Sequence, residues 1–231
     1  LPNDQSSVSN ELPLVSVHEK TTAVKGIGTG IAHKLRGIGI NTILDLLYHF
    51  PRRHVLISLI SDLIPGEEMA VVGNVWEIRV IQLGGQRVSA TEAIIGDETG
   101  NIRVLWFKQP FVARAIHPND KVLVRGYARV FRNRLNFEAN AYEILKNTAR
   151  PLSPGDLLPI YPTTEGLVQR NLRTVILRSL EGWVNTIGDY LSSEMLQRLE
   201  LQRLPQALWN FHYPANDTAA RSSHRRLAFN E

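Results

Sequence analysis

Apolar residues change their spacing twice along this chain. Between Val24 and Pro51 the spacing is helical: Ile31 and Leu35 lie four apart, and Ile43, Leu44, Leu46 and Leu47 give a second short helix an apolar face. That second helix opens at Asn41 and stops before Pro51. From residue 66 to 147 the period falls to two. Val72, Trp76, Ile78 and Val80 alternate with Glu77 and Arg79, which predicts a half-buried strand. GGQ turns it, RVSATEAIIG returns, DETG turns again and NIRVLWF is the third strand. PFVARAI, with Pro110 near its start, predicts a short helix, and DKVLVRGYARVF, the turn RNR and LNFEANAYEIL complete five strands. NTARPLSPGDLLPIYPTTEG, with its four prolines, reads as an extended connector. Helical spacing then resumes at Leu172, Ile176, Leu180, Trp183 and Ile187, and SSEMLQRLELQRL begins a further helix behind a serine cap.

Five strands with a helix between the third and fourth is the order of an OB barrel. The fold class is therefore α+β with a mainly β core, an OB barrel flanked by helices. Residues 1–23 are a polar tail, 24–65 a helical, helix-hairpin-helix-like segment, 66–147 the barrel, and 148–231 the connector and helices.

Composition narrows the function by exclusion. The 231 residues contain no cysteine, which removes disulfides, thiolate metal sites and cysteine nucleophiles. No apolar run is long enough to span a bilayer, so no membrane partner is expected and the cytoplasm is the expected compartment. Phosphate-binding G-x-x-x-x-G-K-[ST] loops and G-x-S-x-G elbows are absent. Asp97 and Glu98 sit in the DETG turn and read as turn formers, and His33, His49 and His54 follow no ligand spacing, so no metal is expected. This chain by itself is expected to catalyse nothing and to hold no cofactor. It opens at Leu1 and ends at LAFNE, which suggests a piece of a longer protein.

Charge is mild overall, at +4, but unevenly spread. From Arg103 to Arg134 there are eight basic residues and one acid, Asp120. The two-residue period turns Ile102, Val104 and Trp106 inward and Asn101, Arg103, Leu105 and Phe107 outward. In the fourth strand Val122, Val124, Ala128 and Val130 face the core, and Lys121, Arg125, Tyr127 and Arg129 share the other face. Cations that track phosphates beside rings that stack on bases make a nucleic-acid surface. The competing reading is a solvated barrel face with rings packed under the C-terminal helices. Phe111 follows Phe107 by four residues, so the two rings could flank one corner. Gly26, Gly28 and Gly30 open the first helix, either as a phosphate-binding hairpin or as a tight packing turn.

Three stretches, VKGIGTGIAHKLRGIGINTILDLLYHFPRR, LWFKQPF and LLPIYPTTEGLVQRNLR, resemble in order and spacing the signature stretches of the RecG family of bacterial and plastid DNA helicases. The resemblance runs from about Val24 to RRLAFNE. It implies an OB wedge that sits at a replication fork or Holliday junction and splits strands in recombination and repair. It also implies motor lobes of the same chain that follow the wedge and use ATP and Mg, in the bacterial cytoplasm near the nucleoid or in plastids. On that basis Phe107 and Phe111 stack on bases at the parting point, while Arg103, Lys108, Arg125, Arg129, Arg132 and Arg134 hold the backbone. Two positions depart from the family pattern: the second aromatic is often tyrosine there, and HVLISL is apolar where relatives are commonly charged. A freestanding OB module for single strands and a protein-docking barrel remain as alternatives.

Overall fold

The computed structural model describes residues 16–83, 88–146 and 150–229. Most of the expected tail and the whole GGQ turn lie outside those residues. The barrel is built from β2 (Glu68–Leu83), β3 (Val88–Asp97), β4 (Gly100–Phe107), β5 (Lys121–Phe131) and β6 (Arg134–Ile144). Its pairs are antiparallel except β4 with β6, which run parallel through Arg103↔Asn136, Val104↔Phe137 and Leu105↔Glu138 and close the ring. The expected OB barrel is borne out, with its helix α3 (Val112–Ala115) between the third and fourth barrel strands. Val112 and Ile116 of that segment are fully buried and plug the core made by Val75, Ile95, Ile102, Val104, Trp106, Val122, Val124 and Phe137.

Two strands outside the barrel were not legible in the pattern. β1 (Arg53–Ser58) lies parallel to β2, and β7 (Leu157–Ile160) lies antiparallel to β1, giving a seven-stranded sheet. The proline-rich connector therefore contains a strand. Pro159 is tolerated because β7 is a sheet edge. Val55 and Ile57 of the apolar HVLISL stretch pack with Ala70, Leu123 and Leu158, so their hydrophobicity serves the joint between barrel and flanks.

The helical segments on either side of the barrel in sequence form one body. α1 (Thr29–Arg36) and α2 (Ile43–Leu47) share a core with α4 (Gln169–Trp183) and α6 (Leu204–His212), through Leu35, Ile43, Leu46, Leu47, Leu172, Ile176, Leu180 and Leu208. α2 opens one residue later than its pattern suggested. Thr42 is the cap and forms a reciprocal capping box with Asp45. α5 (Ser193–Arg198) starts behind Ser192, whose hydroxyl accepts from the Met195 amide as the serine-cap reading expected. α7 (Asp217–Ala228) completes the body.

Three core assignments are corrected, and one of them, Val80, is 48% exposed near the far end of β2. Trp76 is exposed, because a bulge between Val75 and Glu77 inserts one residue and reverses the alternation of β2. Val75, not Trp76, fills the barrel. Val130 is also exposed, because β5 runs past the barrel rim before it turns.

The helical body is pinned by buried His212. Its Nε2 donates to the Leu47 carbonyl at 2.9 Å, and its Nδ1 accepts from the Tyr161 hydroxyl at 2.9 Å. Burial lowers its pKa to about 4, and burial likewise lowers those of His49 and His54. A depressed histidine pKa means that the unfolded chain takes up the proton first, so stability falls as pH drops below about 6.5 and levels off near the folded value. Urea unfolding should therefore show a loss of about 2 kcal/mol from His212 between pH 7.5 and pH 5. His212→Gln should flatten that slope, and an unchanged slope would remove His212 from the account.

Candidate nucleic-acid interface

Register, more than sequence distance, decides which side chains meet on the outer barrel face. The pairs Ala90↔Phe107, Glu92↔Leu105 and Arg79↔Glu92 place β2, β3 and β4 side chains on one face. The pairs Arg103↔Asn136, Arg129↔Asn136 and Phe131↔Arg134 continue it across β6 and β5. Phe107 is six residues from Asn101 along β4. At about 3.3 Å per residue the face runs roughly 20 Å from Phe107 to the level of Arg134.

At one end is a fixed corner. β4 stops at Phe107, and Lys108 adopts a left-handed conformation, φ 57°, while its amide still donates to the Ser89 carbonyl at 3.0 Å. The Thr91 hydroxyl donates to the Gln109 carbonyl at 2.8 Å, and buried Val112 anchors the far side. With the backbone held at both ends, Phe107 and Phe111 project, 41% and 56% exposed, while Trp106 is wholly enclosed. Exposed Lys108 sits between the two rings in sequence.

Along the face, Glu92 is buried and takes ion pairs from Arg79, at 2.6 Å, and from Arg103. Burial raises the Glu92 pKa, but the hydrogen bonds and charges of the two arginines outweigh it, and the carboxyl ends below its usual range. The carboxylate thus orients two partly exposed guanidiniums and leaves the group a net positive charge. Arg129 is half-exposed, 3.6 Å from Glu138, with its guanidinium 5.3 Å from the centre of the Tyr127 ring.

At the other end is the β5–β6 hairpin tip. Arg132 and Asn133 both take positive φ, 48° and 61°, the geometry of a two-residue hairpin turn. The Arg132 guanidinium lies 5.4 Å from the Phe131 ring centre, and Phe131 is 62% exposed. Arg134 is exposed beside it.

The structure does not bring every anticipated residue to this face. The Arg125 side chain is only 18% exposed and lies at the joint with α4, beside Glu68. It continues the alternation of Tyr127 and Arg129, but the first half of β5 is covered by the flanking strands and helix. Gly26, Gly28 and Gly30 belong to the helical body. Gly26 has φ 98° and passes so close to α4 that an added Cβ would meet Arg178 Nη1 at 2.3 Å. That guanidinium donates to the Lys25 carbonyl, so packing accounts for Gly26. Gly28 caps α1 without a side-chain bond, and both it and Gly30 face open space. Asp97 is a turn former, accepting from the Thr99 hydroxyl and from the amides of Thr99, Gly100 and Ile60.

Sequence reasoning missed Arg79, Glu92 and Phe131. The alternation that placed Tyr127 and Arg129 outward reaches Phe131 two residues on. Arg79 needed only the polar half of the β2 pattern.

The model of the RecG wedge domain matches residues 21–182. The chain belongs to the RecG wedge domain family. Among curated relatives, the ATP-dependent DNA helicase RecG of Thermotoga maritima is 25% identical over 216 residues, covering 90% of this chain and 27% of its own length. The RecG helicase of Escherichia coli K12 is 27% identical over 223 residues, covering 91% of this chain and 31% of its own length. The chain thus spans under a third of the length of these relatives. A solved structure of RecG bound to a three-way DNA junction superposes with a TM-score of 0.67 at 22% identity, over 98% of this chain and 31% of that one, so the RecG wedge fold is shared.

An arginine at positive φ is disfavoured relative to asparagine or glycine. Arg132→Asn should stabilise the hairpin by about 0.5–1 kcal/mol in thermal melts and release Phe131 from its cation. A fall in melting temperature would show that the Arg132–Phe131 contact outweighs the turn strain.

Proposed function

We propose that this chain is the strand-separating wedge of a RecG-like helicase, acting at branched DNA such as replication forks and Holliday junctions in recombination and repair. The observation that carries the reading is the pinned corner, where two exposed rings project from a backbone held at Ser89, Thr91 and Val112. Rings on a rigid corner stack on bases at a parting point at no further cost in ordering. Arg79, Arg103, Arg129 and Arg134 then offer a charged track of roughly 20 Å for the backbone of a separated strand, ending at Phe131. Lys108 and Arg132 serve the two ends. ATP, Mg and strand translocation belong to the motor lobes of such a helicase, which the wedge serves as a passive divider.

Neighbouring alanines should fail in opposite ways. Trp106→Ala should cost about 3–5 kcal/mol of stability by emptying the barrel centre. Phe107→Ala should leave the melting temperature nearly unchanged and weaken fork binding by about 1–3 kcal/mol, with less loss on linear duplex. Melts and fluorescence anisotropy on both DNAs decide. Equal loss on fork and duplex would favour a general single-strand module, and no loss on either would end the stacking role.

Salt dependence separates the arginines. Each phosphate neutralised contributes about −0.9 to the slope of log K against log salt on duplex. Replacing Arg103 and Arg129 together by alanine should reduce the slope's magnitude by about one to two, whereas Arg125→Ala should leave it unchanged. The reverse order would place the DNA against the joint instead of the open face.

A further inference from the structure

A cavity of about 150 Å³ lies between the barrel wall and the start of α4, bounded by Arg125, Ala141 and Glu143 on one side and Val168, Gln169 and Arg173 on the other. Three donor groups border it, and the one carboxylate in its lining, Glu143, is already engaged by Arg173. Arg173 is 8% exposed; its Nη2 donates to both carboxylate oxygens of Glu143, but its buried Nη1 has no hydrogen-bond partner. Arg125 Nη1 is likewise buried and without a partner. Its neighbouring carboxylate, Glu68, stands 3.8 Å from Nε and is already held by Arg53 at 2.9 and 3.0 Å. The third donor is α4 itself. Its cap residue is Val168, which supplies no side-chain acceptor, and its first turn carries no acid. The opening amides of a helix have no intrahelical partner and bear the positive end of its dipole.

The charges in this joint do not balance. Arg53, Arg125 and Arg173 face Glu68 and Glu143, which leaves one positive charge beside an uncapped helix start. Burial pushes the Arg125 pKa down, the mark of a cation short of compensation. Guanidinium donors with a helix N-terminus are the donor set that recognises phosphate-class anions.

We propose that this cavity binds one small inorganic oxyanion of the phosphate class, held by Arg125 Nη1, Arg173 Nη1 and the first-turn amides of α4. The bound ion ties β5 to α4 and so locks the barrel to the helical body. This site is independent of the strand-parting reading, since it lies on the covered half of β5 and uses neither ring.

The probe is inorganic phosphate, followed by ³¹P line broadening and by thermal melts at fixed ionic strength. The unaltered chain should give a saturable one-site signal and a matching rise in melting temperature. Arg125→Met should weaken phosphate binding at least tenfold. Val168→Asp places a preferred helix cap at an exposed position of extended backbone, so the fold is kept or improved while its carboxylate occupies the amides; it too should lose the signal. Arg129→Met, on the open face, should bind phosphate as the unaltered chain does, which controls for the general stabilising effect of phosphate. No saturable signal in the unaltered chain, or equal affinity in all four proteins, overturns the proposal. Saturating phosphate should leave fork affinity unchanged at constant ionic strength. Competition between the two would assign the site to a DNA phosphate and overturn the free-ion reading.

Discussion

Three rungs of parallel pairing between β4 and β6 turn an antiparallel meander into a closed barrel. The interior depends on that closure, because it brings Val104 and Phe137 together over Trp106 and leaves no free edge among the five barrel strands. The outer face depends on it equally. Arg103 and Arg129 come from strands separated by α3, and they become neighbours only because both register with Asn136. The corner follows as well. Once β4 is fixed between β3 and β6, its last residue and the left-handed Lys108 have no freedom to tuck Phe107 back into the core.

The flanks solve a different problem. A small barrel presents half its wall to solvent, and here Val55, Ile57 and Leu158 cover the outer side of Ala70 and Leu123. The covered half of β5 carries Leu123 and Arg125, and the open half carries Tyr127 and Arg129. One strand therefore has two environments, and the boundary falls near the bulge at Arg125–Gly126. Gly126 is obligatory there, since an added Cβ would lie 2.0 Å from the Glu138 carbonyl oxygen. Polar groups brought into the joint remain only partly satisfied, which is where the structure is most open to a bound anion.

Most of the barrel could be read from alternation, because strands with one buried face write a period of two into the sequence. Trp106 and Phe107 were separated on that basis alone, the four-residue spacing to Phe111 set the two rings at one corner, and the resemblance carried by LWFKQPF then implied that they stack on bases. What the pattern hid has definite causes. A one-residue bulge reversed Trp76, and strand length beyond the rim exposed Val130. β1 and β7 are too short and too rich in proline or uniform apolar residues to show a period. Arg125 was misplaced because its surroundings are supplied by Arg173 and Glu143, distant in sequence and invisible to any local rule. The union of α1 and α2 with α4 and α6 is long-range in the same sense, as each helix shows only its own apolar face.

In the proposed wedge, the Phe107–Phe111 corner meets bases at the point where strands part. 2-Aminopurine placed at the first paired position of a fork tests it most directly, since this base brightens when it leaves the base stack. Emission should rise when the chain binds and fail to rise with Phe107→Ala at protein concentrations that still saturate the fork, with no rise from the same base placed well inside the duplex arm. A rise that survives Phe107→Ala, or one that appears equally inside the duplex, would contradict it.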